Sequence, residues 1–559
     1  MPRRVRLAIL IAFLFHGLFI LTARYRLSYD AYTHMLFANH YAENWFSLWE
    51  TRWYAGFTVV SYPPLIHQLT ALFIPILGFD AAFAFMLWMV MTLYPLGIYA
   101  FSRIFAGKAA AFHAAFASAL LLPMYVAAHI FGQLPFLSGT LIALFGAASV
   151  DRYLREGSIH NLLLTVALAT TSMAAHHATL LFQPFLIFAV VTTNFFNHGA
   201  TEPKRTTQDK GLNVSLAPWL MLFRLSLFAI LAVIFSILVI WPFWQWGMQQ
   251  TIQTPIDHPS RHNFFSDPLA PAIFFWPMYG PLVVIIPFLF RRWPLRFVGL
   301  IVSFIILFIL GLGGTTPLPR LVFGGAWEWL TYDRFAFWAS LTLTPFFGII
   351  FAQLKHRWRQ RVSVGPRPAS FRRNFFSALT FSVFGITVLG AWLTPVLFTT
   401  QPRAIDMQPI VDFLKKEDRS AWRYLTFGFG DQFAYLNLLT KATTLDGSYH
   451  TARTIPELRE SGIGQVDTVY WALKGIPAIV PILRASGEYG VRWGFVNPAT
   501  LKAVPVRWSF IHRSEFVPVL EQLGWIKLKS LDNGVLVYEN PMALLPEAAM
   551  VPVTKPIES

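Results

Sequence analysis

The sequence predicts a mainly α, polytopic membrane protein that ends in a small α/β domain. Three observations carry that prediction. Of 559 residues, 55% are hydrophobic and 13% charged, against a charged share of about 25% in soluble domains. Apolar runs of helix-spanning length recur between short polar connectors. Beyond residue 400 charge returns and the apolar runs shrink to strand length.

The first segment, "MPRRVRLAILIAFLFHGLFILTARY", has the basic start of a signal peptide but a long apolar run and no small-x-small cleavage site. It reads as an uncleaved first helix. Apolar spans follow near 81–102, 109–126, 134–150, 159–175, 177–196, 217–241, 271–290, 296–312, 335–354 and 374–398, making eleven with the first at 5–22. The stretch 63–78 is short, flanked by prolines and interrupted by His67 and Gln68. It is expected to stay in the outer leaflet, as part of one long outside loop, 23–80. The basic connectors then all fall on one side, the strongest being 355–374 with seven Lys and Arg. They place the N-terminus in the cytoplasm and the C-terminal domain outside the membrane.

The expected domains are thus a transmembrane unit, 1–399, and a soluble extracytoplasmic unit, 400–559. In the latter, "WRYLTFGFG", "YGVRWGFVN" and "GVLVYEN" read as strands, and "QPIVDFLKKE" and "FVPVLEQLGW" as helices. The net charge of +16 does not indicate nucleic acid, because the basic residues flank apolar spans and suit anionic head groups. The 20 Trp, 54 Phe and 18 Tyr supply interfacial belts. No cysteine is present, which excludes disulfides and thiolate metal sites.

Chemistry-bearing residues gather at the outside ends of the spans. "SYDAYTHMLFANHYAENWF" predicts a helix over about 30–46 with Asp30 and His34 on one face. Its apolar residues, Met35, Leu36, Ala38, Ala42 and Trp45, would lie along the membrane. Asp30 would also suit a purely structural role at the helix N-terminus. "WETRWYAGFTVVSYPPL" offers Arg52, Trp53, Tyr54 and Tyr62, with Tyr62 fixed by two prolines. Arg52 in a bland role would be an interfacial anchor. His176 and His177 interrupt apolar sequence, where polar groups usually face a cavity. The connector 250–268 contains Asp257, His258, Arg261 and His262, a mobile substrate loop or a plain solvated one. Asp333 and Arg334 begin the tenth span, and an arginine there would bind phosphate through several donors.

This layout resembles the GT-C superfamily of integral membrane glycosyltransferases, most of all the membrane proteins labelled 6-pyruvoyl-tetrahydropterin synthase-related. The resemblance rests on "SYDAYTHMLFANHYAENWF", "RWYAGF…SYPPL", "GQLPF" (132–136) and "AAHHATLL" (174–181). It implies a sugar donor linked to a polyprenyl phosphate, a glycan, lipid or protein acceptor, and contact with membrane lipids. Asp30 would be the general base of an inverting transfer, with His34 tuning it. Arg334, Arg52 and the 176–177 imidazoles would steady the phosphate, and Trp53, Tyr54 and Tyr62 would pack on sugar or isoprenoid. The residues fix no cofactor and leave a divalent metal, Mg or Mn, open. The double-acid and Trp-rich C-terminal signatures of oligosaccharyltransferases are absent. Two other functions fit the same sequence: a transporter or flippase for a polar lipid or solute, and a non-catalytic protein that binds a lipid carrier.

Overall fold

A computed structural model describes residues 3–54, 56–59, 62–198, 216–249, 258–363, 389–390, 393, 401–447, 480–498 and 516–545. The chain is mainly helical. In order come α1 (Arg3–Leu21), α2 (Ala31–Glu43), a two-residue hairpin of β1 (Trp49–Glu50) and β2 (Phe57–Thr58), α3 (Leu65–Ala71), α4 (Ile74–Phe105), α5 (Lys108–Ser118) and α6 (Leu122–Tyr125). A π-turn, Val126–Ile130, extends α6. Next are α7 (Leu134–Glu156), α8 (Ile159–Ala175), α9 (Thr179–His198), α10 (Leu216–Gln249), α11 (Leu269–Phe274), α12 (Trp276–Tyr279), α13 (Val298–Gly311), α14 (Leu318–Phe323) and α15 (Asp333–Ser363).

Among the described residues, seven segments are long and apolar enough to cross a membrane. The bent pair Lys108–Ser118 and Leu122–Ile130 makes an eighth, and Ile159–Ala175 and Leu295–Gly311 are shorter apolar helices. These ten correspond to the first ten predicted spans. The eleventh, 374–398, lies almost wholly outside the described residues. The third span is bent by 44°, where Pro123 opens a new helix. The eighth is broken into α11, α12 and a 3₁₀ stretch, Gly280–Phe290. Five prolines between 268 and 287 remove the donors a continuous helix needs. The stretch 63–78 holds α3 and the first turn of α4, set off from the rest of α4 by Gly78 at φ 76°. At seven residues α3 is far too short to span.

By connectivity the spans share two ends. One carries Arg103, Lys108, Arg152, Arg155, Arg291 and Arg296 at helix termini and connectors. The other gathers α2, α3 and the connections 130–133, 176–178, 258–268 and 331–333.

In the C-terminal region a four-stranded sheet has the order β3 (Arg423–Phe427), β4 (Val491–Val496), β6 (Leu536–Glu539), β5 (Ile526–Ser530). β3 and β4 are parallel and the other pairs antiparallel. All three predicted strands and both predicted helices, Gln408–Lys415 and Phe516–Gln522, form. Phe413 packs edge-on to Trp493 and Phe495, fixing the first helix on the sheet.

The helix predicted over 30–46 ends at Glu43. Met35, Leu36 and Ala38 are fully buried in protein. α2 packs against α3, α4 and the helix Gln432–Leu439. Three of the five residues of the expected membrane face therefore pack on protein, while Ala42 and Trp45 stay exposed.

Candidate active site at the loop-bearing end

Asp30 is set by backbone pairing between two distant loops. The amides of Tyr29 and Asp30 donate to the carbonyls of Ile130 and Phe131, each at 2.9 Å. Gly132 makes this approach possible. Its φ is 71°, and a Cβ there would lie 2.5 Å from the Ser28 hydroxyl oxygen. Asp30 holds the position before the first turn of α2 but makes no side-chain cap hydrogen bond.

From this point a continuous polar and aromatic cluster runs inward. Gln133 donates its side-chain amide to Asp333 Oδ2 at 3.5 Å. The Arg334 guanidinium lies 5.6 Å from the Phe136 ring centroid. Phe136 meets His176 at 5.8 Å, and His176 meets Tyr62 at 5.4 Å and His177 at 5.4 Å. Tyr62 in turn lies edge-on to His34 at 5.2 Å and to His67 at 5.7 Å. His34 Nδ1 and His67 Nε2 share a hydrogen bond of 3.0 Å. His34 is thus engaged with His67 through Nδ1. His67, absent from the predicted site, is a central member. The only signal for it was a polar residue inside an apolar stretch.

Two properties mark this cluster. Among the described residues, His67 Nδ1, His176 Nε2, Asp333 Oδ1 and Arg334 Nε are buried without a hydrogen-bond partner. Such groups are costly unless something else satisfies them. The imidazoles are also held neutral. Burial first, then His67 and Arg334, keep His34 well below its ordinary pKa. Burial lowers His67 to about 3. In the α8–α9 connection, burial followed by Arg334 lowers His177 to about 4 and His176 well below normal.

The 258–268 connection borders the same place and is anchored over its described part. Phe274 stacks on Phe131 at 5.6 Å and meets His258 at 4.8 Å. The Tyr332 amide donates to the Ser260 hydroxyl at 2.9 Å. Arg261 donates to the Glu328 carbonyl, and His262 pairs with Asp267 at 2.9 Å. These ties replace the mobile loop of the sequence reading. Asp257 lies outside the described residues.

Arg52, Trp53 and Tyr54 belong elsewhere. The Arg52 guanidinium contacts Glu50 Oε1 at 2.8 Å and Oε2 at 2.6 Å, and Glu43 at 3.5 Å. His40 meets Glu50 from the other side at 3.0 Å. Burial would raise the Glu50 carboxyl, but His40 and Arg52 outweigh it and hold it at about 2. The Arg52 carbonyl accepts from the Thr444 amide at 3.0 Å. Trp53, fully buried, donates to Asn437 Oδ1 at 3.0 Å and packs on Phe433. Tyr54 is fully buried against Gly447, where a Cβ would collide with its ring. These three residues join the 23–80 loop to the C-terminal region. Arg52 is engaged with carboxylates, and the two aromatics are fully buried.

For a metal the arrangement is a poor fit. Among the described residues no three His, Asp or Glu side chains converge on one point. The imidazoles lie within the field of Arg334, which opposes a divalent cation.

No family model and no curated protein matches the chain. Solved structures do. The Archaeoglobus fulgidus oligosaccharyltransferase in its apo form is 11% identical, with a TM-score of 0.50, over 88% of this chain and 69% of that one. ArnT from Cupriavidus metallidurans bound to undecaprenyl phosphate is 12% identical, with a TM-score of 0.49, over 97% of this chain and 98% of that one. The first likeness establishes shared architecture: this chain folds like that oligosaccharyltransferase.

Proposed function

We propose that the protein is a membrane glycosyltransferase that takes its sugar from a polyprenyl-phosphate donor. The observation that carries this reading is the set of buried, unpartnered groups around Arg334. An arginine with an unpartnered Nε and two imidazoles with unpartnered ring nitrogens lie in one buried cluster, and the 130–133 segment that holds the Asp30 amide also brings Gln133 to Asp333, the neighbour of Arg334. A phosphate oxygen supplies the acceptors that Arg334 lacks. The GT-C-type fold puts the site at the ends of apolar spans, where a lipid tail would stay in the bilayer.

In the reaction, the acceptor hydroxyl oxygen attacks the anomeric carbon from the side opposite the phosphate. The carbon–oxygen bond to phosphate breaks, and its electron pair leaves on polyprenyl phosphate. Configuration inverts. Asp30 takes the hydroxyl proton. Arg334 steadies the charge that builds on the departing phosphate, with His176 and His177 beside it. Tyr62 holds the imidazoles in place. Asp333 is oriented by Gln133 beside Arg334. The loop-bearing end faces outward, because the opposite end is basic.

Purified protein in lipid nanodiscs, supplied with a panel of radiolabelled polyprenyl-phosphate sugars, tests this. Asp30-dependent transfer or hydrolysis supports the enzyme. Protein-dependent translocation without covalent change would replace it with transport, and lipid binding alone with a carrier-binding role.

A further inference from the structure

His16 and His129 form a polar pair that the proposed reaction does not use. His16 lies on α1 and His129 on the π-turn after α6. Each is 1% exposed. His16 Nδ1 and His129 Nε2 are 2.9 Å apart, and the rings stack at 5.2 Å. Phe19 and Tyr125 pack on His129. Burying two imidazoles is costly compared with an apolar pair of the same shape. Packing alone gives no reason for them.

The π-turn supplies one. Its wide winding is sealed by the Phe131 amide donating five residues back to Val126 at 2.9 Å, and by the Gln133 amide donating to Ala127 at 3.0 Å. Such turns are rare and need support from outside the helix. This one holds the Asp30 backbone and, through Gln133, the Asp333 carboxylate. The carbonyls of Ile130 and Phe131, the two residues after His129, hold the amides of Tyr29 and Asp30. Gln133 holds Asp333. Relaxing the π-turn to α-helix would advance the chain by about one residue's rise, ~1.5 Å, and pass each carbonyl to the wrong amide.

We infer that the His16–His129 hydrogen bond is a positioning device: it ties the first span to the π-turn and thereby fixes where Asp30 and Asp333 stand. The inference rests on the reading of Asp30 as the base for its catalytic consequence, but its structural core does not. Apolar pairing would preserve packing yet lose direction, so a structural and a positioning role give different results.

The test uses the full chain in nanodiscs with two variants. His16→Leu/His129→Leu removes both polar groups, and His16→Phe keeps the ring stack but not the hydrogen bond. Hydrogen exchange of the peptides carrying Tyr29–Asp30 and 130–133 is compared with that of α7. Each variant is expected to speed exchange in those two peptides about tenfold while α7 stays protected. His129→Gln, which keeps a hydrogen-bonding group, is expected to restore protection. With a donor that the wild type uses, kcat falls about 100-fold and KM changes little. Unchanged exchange at Tyr29–Asp30 in the folded His16→Phe variant overturns the inference, whatever the activity. If the wild type shows no Asp30-dependent transfer, the functional reading falls and the exchange result alone decides this one.

Discussion

Two polar regions grow from the same 23–80 loop, and they have opposite fates. Around Glu50 every charge is answered: Arg52 is gripped by Glu50 and Glu43, His40 by Glu50, and Trp53 by Asn437. Around Arg334 the reverse holds, and four buried polar atoms have no partner among the described residues. Burial and residue type do not separate the two regions, since both are dry, aromatic and ionisable. Hydrogen-bond satisfaction does. The first region joins chain segments, and the second keeps the unsatisfied groups that the proposed phosphate would answer.

The largest effect should come from removing the base. Asp30→Asn is expected to lower transfer about 1000-fold with the thermal midpoint unchanged, read as product formation at saturating donor. Arg334→Lys keeps the charge but loses the planar donors, and should lower kcat about 100-fold. An Arg52→Ala variant with the same kinetic loss and unaltered stability would erase the contrast. The expected outcome is loss of stability instead, about 3 kcal/mol, because Glu50 is left buried beside a missing partner. Trp53→Ala should behave alike, at about 4 kcal/mol. Thermal unfolding in one detergent measures both.

The pH dependence sharpens the same comparison. Folding keeps His67 neutral down to about 3, whereas the unfolded chain protonates its imidazoles near 6.5. The unfolded state therefore binds more protons between those values, and stability falls as pH drops below about 6.5. Glu50, held at about 2, acts lower. Its contribution is full above the unfolded carboxylate value, about 4.3, and is lost as pH falls toward 2. His67→Leu should flatten the stability profile between pH 4 and 6.5, removing up to about 3 kcal/mol of pH-dependent change.

Much of the fold was legible because membrane spans depend on composition over about twenty residues. The strands of the C-terminal region were legible for a similar reason, through short β-rich runs. β5 was not, because "IKLKS" forms an exposed edge whose alternation faces no core. The site was half legible. Asp30, His176, His177 and Arg334 were marked by polarity in apolar surroundings. Arg52, Trp53 and Tyr54 carry the same mark, and nothing local shows that Asn437 and Thr444, nearly four hundred residues on, take up their polar groups. His67 was hidden because its partner, His34, lies across a turn rather than along a helix. α2 looked amphipathic for the membrane, while its second apolar neighbour was a helix from the far end of the chain.

The most direct measurement of the central claim is an experimental structure with dolichyl phosphate added. The account predicts the phosphate within about 3 Å of the Arg334 guanidinium, beside His176 and on the Asp30 side of Phe136. A phosphate bound at Arg52, or anywhere that leaves the Arg334 and His176 nitrogens unpartnered, would contradict it.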